Sequence, residues 1–170
     1  GYLVFATKNG QVKKTSLEEY SRPRQGGIWA INLSEGDEIV SVVKTNGAEQ
    51  LILATKKGSA VRFNETDVRS VGRYSSGVIG IRLRDDEVIG MVKADETKTL
   101  LTVTENGFGK RTPINDYRLI NRGGTGVINI KTTERNGNVV SIKDVTEEDE
   151  LMFITVSGQV LRTSCKFISV

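Results

Sequence analysis

Apolar residues fall along this chain in short blocks, each closed by a glycine. Leu3-Val4-Phe5-Ala6 leads into Thr7-Lys8-Asn9-Gly10, and Leu51-Ile52-Leu53-Ala54 into Thr55-Lys56-Lys57-Gly58. Leu100-Leu101-Thr102-Val103 leads into Thr104-Glu105-Asn106-Gly107, and Leu151-Met152-Phe153-Ile154 into Thr155-Val156-Ser157-Gly158. The four glycines stand 48, 49 and 51 residues apart, and four residues beyond each comes a base: Lys14, Arg62, Arg111 or Arg162. An apolar run, a tight glycine turn and a second run predict a β-hairpin in every unit.

A second landmark follows the same period. Gly27-Ile28-Trp29-Ala30-Ile31-Asn32-Leu33, Gly77-Val78-Ile79-Gly80-Ile81-Arg82-Leu83 and Gly126-Val127-Ile128-Asn129-Ile130-Lys131 begin 50 and 49 residues apart. A further strand closes each unit: Glu38–Val43, Glu87–Val92 and Asn138–Ile142. The repeats therefore run about 3–50, 51–99 and 100–150, with an incomplete one over 151–170. Three or four short strands per unit, at a period near 49 residues, predict an all-β, propeller-like array of four-stranded blades. Neither a Trp-Asp pair nor a kelch signature is present, and the irregular stretch between the two landmarks suits either an outer strand or a loop.

Composition narrows the chemistry. The 170 residues include no histidine and one cysteine, Cys165. This removes Ser-His-Asp and Cys-His catalysis, thiolate zinc sites and an internal disulfide. No apolar run is long enough for a membrane-spanning helix, and no signal-peptide pattern opens the chain. The initial Gly1 reads as the start of an excised piece.

Charge is segregated within the repeat, although the net charge is only +3. The arcs 10–27, 58–77, 107–126 and 158–170 hold 13 of the 24 bases but 5 of the 21 acids. The candidate binding residues are Lys13, Lys14, Arg22, Arg24, Arg62, Arg69, Arg73, Lys110, Arg111, Arg118, Arg122 and Arg162. Arg69 and Arg118 lie eight residues before their second glycine, and Arg73 and Arg122 lie four before. Around them, Gly26, Gly27, Ser75, Ser76, Gly123 and Gly124 allow close backbone approach. A repeated arc of bases predicts a continuous basic band suited to a long polyanion, with double-stranded DNA the leading candidate.

These residues carry a resemblance. Asn106-Gly107-Phe108-Gly109-Lys110-Arg111-Thr112, Gly126–Lys131 with Thr133-Glu134-Arg135-Asn136-Gly137, Val61-Arg62-Phe63 and Gly77–Leu83 resemble the C-terminal domain family of the DNA gyrase A protein, part of a type IIA topoisomerase. The resemblance covers essentially the whole chain, 1–170. It implies a β-pinwheel, a propeller relative whose blades exchange strands, with a basic perimeter that wraps duplex DNA and presents it to the cleavage core. It also implies a non-catalytic role, with ATP and Mg2+ used elsewhere in the parent enzyme and no cofactor, metal or small-molecule substrate in this piece. The implied partners are DNA, the gyrase A dimer and gyrase B, in a cytoplasmic, nucleoid-associated setting without a membrane. The family's Gln-Arg-Arg-Gly-Gly-Lys-Gly box is absent, and Asn121-Arg122-Gly123-Gly124-Thr125-Gly126 resembles a degenerate copy. The implied position is the middle and later blades, without the first. The C-terminal domain of topoisomerase IV is the close alternative, and a propeller-type interaction scaffold or enzyme the more distant ones.

Other features have plainer readings. Tyr20 and Tyr117 share a repeat position with Val68, so packing is expected rather than a nucleophile. Asp85-Asp86-Glu87 and Glu147–Glu150 read as solvated turns. Trp29 is expected in the core, because its counterparts Ile79 and Ile128 are aliphatic, and Cys165 as an inert residue at a strand end.

Overall fold

Strands account for the regular structure of the computed structural model, which describes all 170 residues and contains only single 3-10 turns besides. The strands are β1 (Tyr2–Thr7), β2 (Gln11–Ser16), β3 (Ile39–Thr45), β4 (Gln50–Thr55), β5 (Ser59–Asn64), β6 (Val78–Ile79) and β7 (Val88–Lys93). They continue with β8 (Thr99–Thr104), β9 (Gly109–Pro113), β10 (Val127–Ile128), β11 (Val139–Val145), β12 (Glu150–Ile154) and β13 (Val160–Ser164). The 3-10 turns Leu17–Tyr20, Glu65–Asp67, Ile114–Asp116 and Cys165–Phe167 follow the second strand of each hairpin. The irregular stretch after the hairpin is thus a turn and a loop, not an outer strand.

Sheet membership does not follow the sequence repeat. The first sheet is ordered β3-β1-β2-β6 and the second β10-β5-β4-β7; a third has β11-β8-β9, and β12 pairs with β13. β6 belongs to the second sequence unit but completes the sheet of the first, through Gln11↔Ile79 and Val12↔Val78. β10 does the same one unit later, through Val127↔Ala60 and Ile128↔Ser59. The first two blades are therefore each finished by their successor, which is the strand exchange expected of a pinwheel. The second landmarks run six or seven residues, yet only Val78–Ile79 and Val127–Ile128 pair as strand, and none of Gly27–Leu33 does.

The apolar runs are continuous because their strands are buried on both faces, where successive side chains point opposite ways. Leu51 and Leu53 of β4 pack with Val4, Ala6, Val12, Phe63 and Ile81 on one side. Ile52 and Ala54 pack with Leu100, Ile114 and Tyr117 on the other. A smaller cluster of Leu101, Val145 and Cys165 continues the series. Blades are thus held by cores lying between them, one face of each strand serving each neighbour.

The hairpin glycines take left-handed φ values, with Gly10 at 90°, Gly58 at 96° and Gly107 at 85°. Two of them also lie against the next unit's backbone: the Gly58 carbonyl accepts from Asn129 N and Ile130 N at 2.7 and 3.2 Å. A Cβ at Gly58 would come within 2.0 Å of the Ile130 oxygen, whereas one at Gly107 meets nothing within 4 Å. Both alanine variants carry the φ penalty of about 1–2 kcal/mol. We expect Gly58→Ala to cost at least about 2 kcal/mol more than Gly107→Ala, because only it breaks the contact between blades. Urea denaturation of the two variants measures the difference.

Candidate nucleic-acid interface

The bases of the repeat fall into three groups once folded. The first group is buried. Lys14, Arg62 and Arg111, the residues four beyond each glycine, are only 6%, 6% and 5% exposed. A cation removed from water must find acceptors, and each finds them on the next unit. Lys14 Nζ donates to the Glu65 carbonyl at 3.0 Å and lies 3.7 Å from the Glu65 carboxylate. Arg62 donates to the Ile114 and Tyr117 carbonyls at 3.0 and 3.2 Å, to Gln50 at 2.8 Å and to Glu96 at 3.0 Å. Arg111 Nε donates to the Ile168 carbonyl at 2.9 Å. The acceptors are carbonyls in or beside the 3-10 turns. These three residues clamp blade to blade and do not line an outer band, which corrects the reading of the repeated base as part of a DNA-facing surface. Glu65 is itself fully buried; its two oxygens accept from Thr45 Oγ1 and Glu49 N, both at 2.8 Å.

Lys13 is buried as well. Its amine donates to the Ala30 carbonyl at 2.9 Å and the Arg73 carbonyl at 2.7 Å. Burial, and secondarily the positive charge of Arg73, pull its pKa down to about 8. Lys13 is therefore also an internal strut, and not a surface contact.

The second group is half-exposed and staples adjacent units together. Arg73 Nη1 donates to the Trp29 carbonyl and Arg122 Nη1 to the Ile79 carbonyl, both at 2.8 Å. Trp29 and Ile79 occupy the same repeat position. Arg122 Nε also reaches the Asp67 carbonyl at 3.0 Å. Glycine-rich loops beside them link up through the backbone, as Gly123 N donates to Gly80 O and Arg82 N to Gly124 O.

The third group faces solvent. Arg22, Arg24, Arg69 and Arg118 are exposed and form no ion pair in the structure. Arg69 and Arg118 immediately precede Ser70 and Leu119, which bridge in parallel to Lys14 and Arg62. The backbone is tied there too, with Val71 N donating to Lys14 O and Ile120 N to Arg62 O, each at 2.9 Å. So a buried base on one blade fixes the segment that carries an exposed base on the next. Lys110 is half-buried, and Arg162 is exposed but paired with Glu150.

The remaining candidates are placed as follows. Trp29 is 56% exposed, not core, and lies in no strand; its counterparts Ile79 and Ile128 are exposed too, in two-residue strands at sheet edges. Tyr117 is buried, its hydroxyl bonded to Asn129, and burial raises its pKa. Tyr20 bonds the Ala30 carbonyl at 2.9 Å and packs on Phe5 with ring centroids 6.3 Å apart. Burial likewise raises the Tyr20 hydroxyl and the buried Cys165 thiol. Asp86 accepts from Glu87 N within its own turn and from Lys57 N of the β4–β5 hairpin. No cluster of acids, cysteines or histidines is arranged as a metal site, and no helix is long and apolar enough to cross a membrane.

This repeated architecture has known counterparts. Residues 1–46, 49–94, 98–146 and 149–166 match, in four consecutive segments, the family described as DNA gyrase C-terminal domain, beta-propeller. The chain belongs to that family. It is 61% identical over 170 residues to the DNA gyrase A protein of Halalkalibacterium halodurans, covering 99% of this chain and 20% of that protein. Identity to the DNA gyrase A protein of Salmonella typhimurium is 46%, over all of this chain and 20% of that protein. The chain therefore spans about a fifth of the length of these curated relatives. Two solved structures superpose closely. One, a C-terminal domain of DNA topoisomerase IV, gives a TM-score of 0.93 at 27% identity, over 99% of this chain and 53% of that one. The other, a DNA gyrase A C-terminal domain, gives 0.89 at 31% identity, over 99% of this chain and 57% of that one.

Within this gyrase-type domain, sequence inspection identified every exposed arginine of the arc but could not separate it from the clamps. The missed signal is the position itself: a base four residues past the glycine lies mid-strand, opposite an apolar residue of the preceding strand, Val4, Ile52 or Leu101. Two outcomes follow. Arg62→Met leaves two carbonyls and the Glu96 carboxylate without their donor, so stability to urea should fall by about 3 kcal/mol. Lys13 makes stability depend on pH in a defined sense. The unfolded chain keeps this proton up to the ordinary value of 10.5, while the folded chain releases it near 8. Between those values the unfolded state binds more protons, so stability rises with pH. Across pH 8 to 10.5 the parent should gain stability relative to Lys13→Met, as followed by thermal denaturation at each pH.

Proposed function

We propose that this chain binds duplex DNA and bends it around successive blades, as a non-catalytic part of a gyrase-type, ATP-dependent type II topoisomerase. The observation that carries the reading is a set of exposed, unpaired arginines: Arg69 and Arg118, presented on equivalent segments of successive units, and Arg22 and Arg24 in the same arc of the first unit. Phosphates need guanidinium groups that are accessible and not already spent on carboxylates. A rigid array of them favours a polyanion with regular charge spacing, and a curved surface requires that polyanion to bend.

Cleavage and ATP hydrolysis belong, in this reading, to other parts of the parent, whose Mg2+ and nucleotide sites lie outside these residues. Gyrase A and gyrase B are the proposed protein partners, in a cytoplasmic, nucleoid-associated setting. The close superposition on a topoisomerase IV domain supports a second reading, in which the parent is that enzyme. The 61% identity to a gyrase A protein favours gyrase.

Contacts to phosphate are read through salt. The slope of log K against log salt should flatten by about one unit for each phosphate contact removed. Arg69→Ala with Arg118→Ala should weaken duplex binding and flatten the slope by about two units, leaving thermal stability unchanged. The same change at Lys44 and Lys143, exposed on β3 and β11, should leave the slope nearly intact. Equal effects from both pairs would mean that net charge alone drives binding. Fluorescence anisotropy of a labelled duplex at several salt concentrations makes the comparison.

A further inference from the structure

One exposed aromatic in the basic arc has no packing role. Tyr74 is 69% exposed and belongs to neither the core clusters nor any sheet. It stands three residues before its second landmark glycine, where the neighbouring units carry Arg24 and Gly123. A position that accepts arginine, tyrosine or glycine is not dictated by the fold.

The turn that carries Tyr74 is nevertheless held firmly. Ser75 N donates back to Gly72 O at 3.1 Å, and Asn32 N donates to Ser75 O at 3.3 Å. The Arg73 carbonyl receives the buried Lys13 amine at 2.7 Å, and the Arg73 guanidinium donates to Trp29 O at 2.8 Å. That guanidinium also lies 5.1 Å from the centre of the Tyr74 ring. The linkage between units differs here from that of the next pair. There, Gly123 N donates to Gly80 O; the equivalent carbonyl of Ala30 instead takes Lys13 Nζ and Tyr20 OH. The loop is thus anchored from below by side chains, and its tip displays a ring on an arginine.

The geometry points to Tyr74 as a wedge that inserts from the minor groove between two base pairs of the bound duplex, kinking it at the second blade. Proteins that bend DNA this way place a flat or apolar side chain on a rigid tip flanked by bases that hold the backbone. Arg73 supplies the adjacent charge, with Arg69 exposed on the same loop. The inserted ring replaces lost base stacking with aromatic stacking. Among the three units that have this landmark, only the second carries an aromatic at this place, so the kink would be located there, superposed on the smoother curvature set by phosphate contacts. Flexible pyrimidine–purine steps, which unstack most easily, would be favoured there.

The inference rests on the DNA-binding reading above, and its test separates the two. Duplexes of 30 base pairs, one with a central TA step and one with AA in its place, carry 2-aminopurine beside the step and a dye at each end. The parent chain should brighten 2-aminopurine and shorten the end-to-end distance, more strongly with TA. Tyr74→Phe should retain both signals. Tyr74→Ala should lose the brightening, relax the bend and bind roughly three- to tenfold more weakly, with an unchanged salt slope because no phosphate contact is lost. Its thermal stability should match the parent's, since the ring is exposed. Equal 2-aminopurine signals and distances for the parent and Tyr74→Ala, with binding intact, would overturn the wedge. So would tighter binding to the single strand with no bend in the duplex. Failure of the parent to bind duplex DNA at all would overturn the functional reading itself.

Discussion

The assembly depends on a buried cation passed from each blade to the next. Lys14, Arg62 and Arg111 sit mid-hairpin, each paired across the hairpin with an apolar residue (Val4, Ile52 or Leu101), and donate to carbonyls in or beside the following 3-10 turn. Docking the next unit takes such a charge out of water, at a cost of several kcal/mol if no acceptor meets it. The same unit supplies the acceptors, so the clamp rewards correct register and penalises a blade that is misplaced. Arginine serves better than lysine where several acceptors converge, because its planar fork reaches carbonyls and side chains together. Arg62 has four such partners, while Lys14 relies on the single residue Glu65.

Two further devices repeat with the clamp. Strands β6 and β10 cross to the preceding sheet, and Arg73 and Arg122 donate back to the carbonyls of Trp29 and Ile79. The first two units thus each reach forward with a buried base and are reached backward by a strand and a staple. Cores placed between sheets complete the coupling, since alternate residues of β4 serve different clusters. The consequence for binding is positional. Arg69 and Arg118 ride on segments bridged to Lys14 and Arg62, so the spacing of surface charge follows the spacing of the blades.

Much of this was open to inspection in the chain itself, for a physical reason. A repeat that builds one blade after another must repeat its turns, and a turn with positive φ demands glycine. Gly10, Gly58, Gly107 and Gly158, with the apolar runs before them, therefore announce the hairpins and their period. The third strands were legible to within a residue or two at their starts. The absence of histidine bounded the chemistry without any coordinates. The resemblance then pointed to the gyrase A C-terminal family, to which the chain belongs.

Charge was the limit of that inspection. Sequence places Lys14 and Arg69 in one basic arc, but whether a cation faces water or a neighbour's carbonyl depends on what a unit some fifty residues away brings to it. The same holds for Trp29, whose apolar surroundings in sequence suggest a core, although it lies exposed outside every strand. It holds for the sheets as well: β6 lies in one repeat and completes another because pairing is decided by proximity and free edges, not by chain order. Local pattern specified turns, strands and period, since those are set by neighbours along the chain. Burial, partner choice and the division of the bases into clamps, staples and free guanidinium groups arose from contacts between units, which no local pattern encodes.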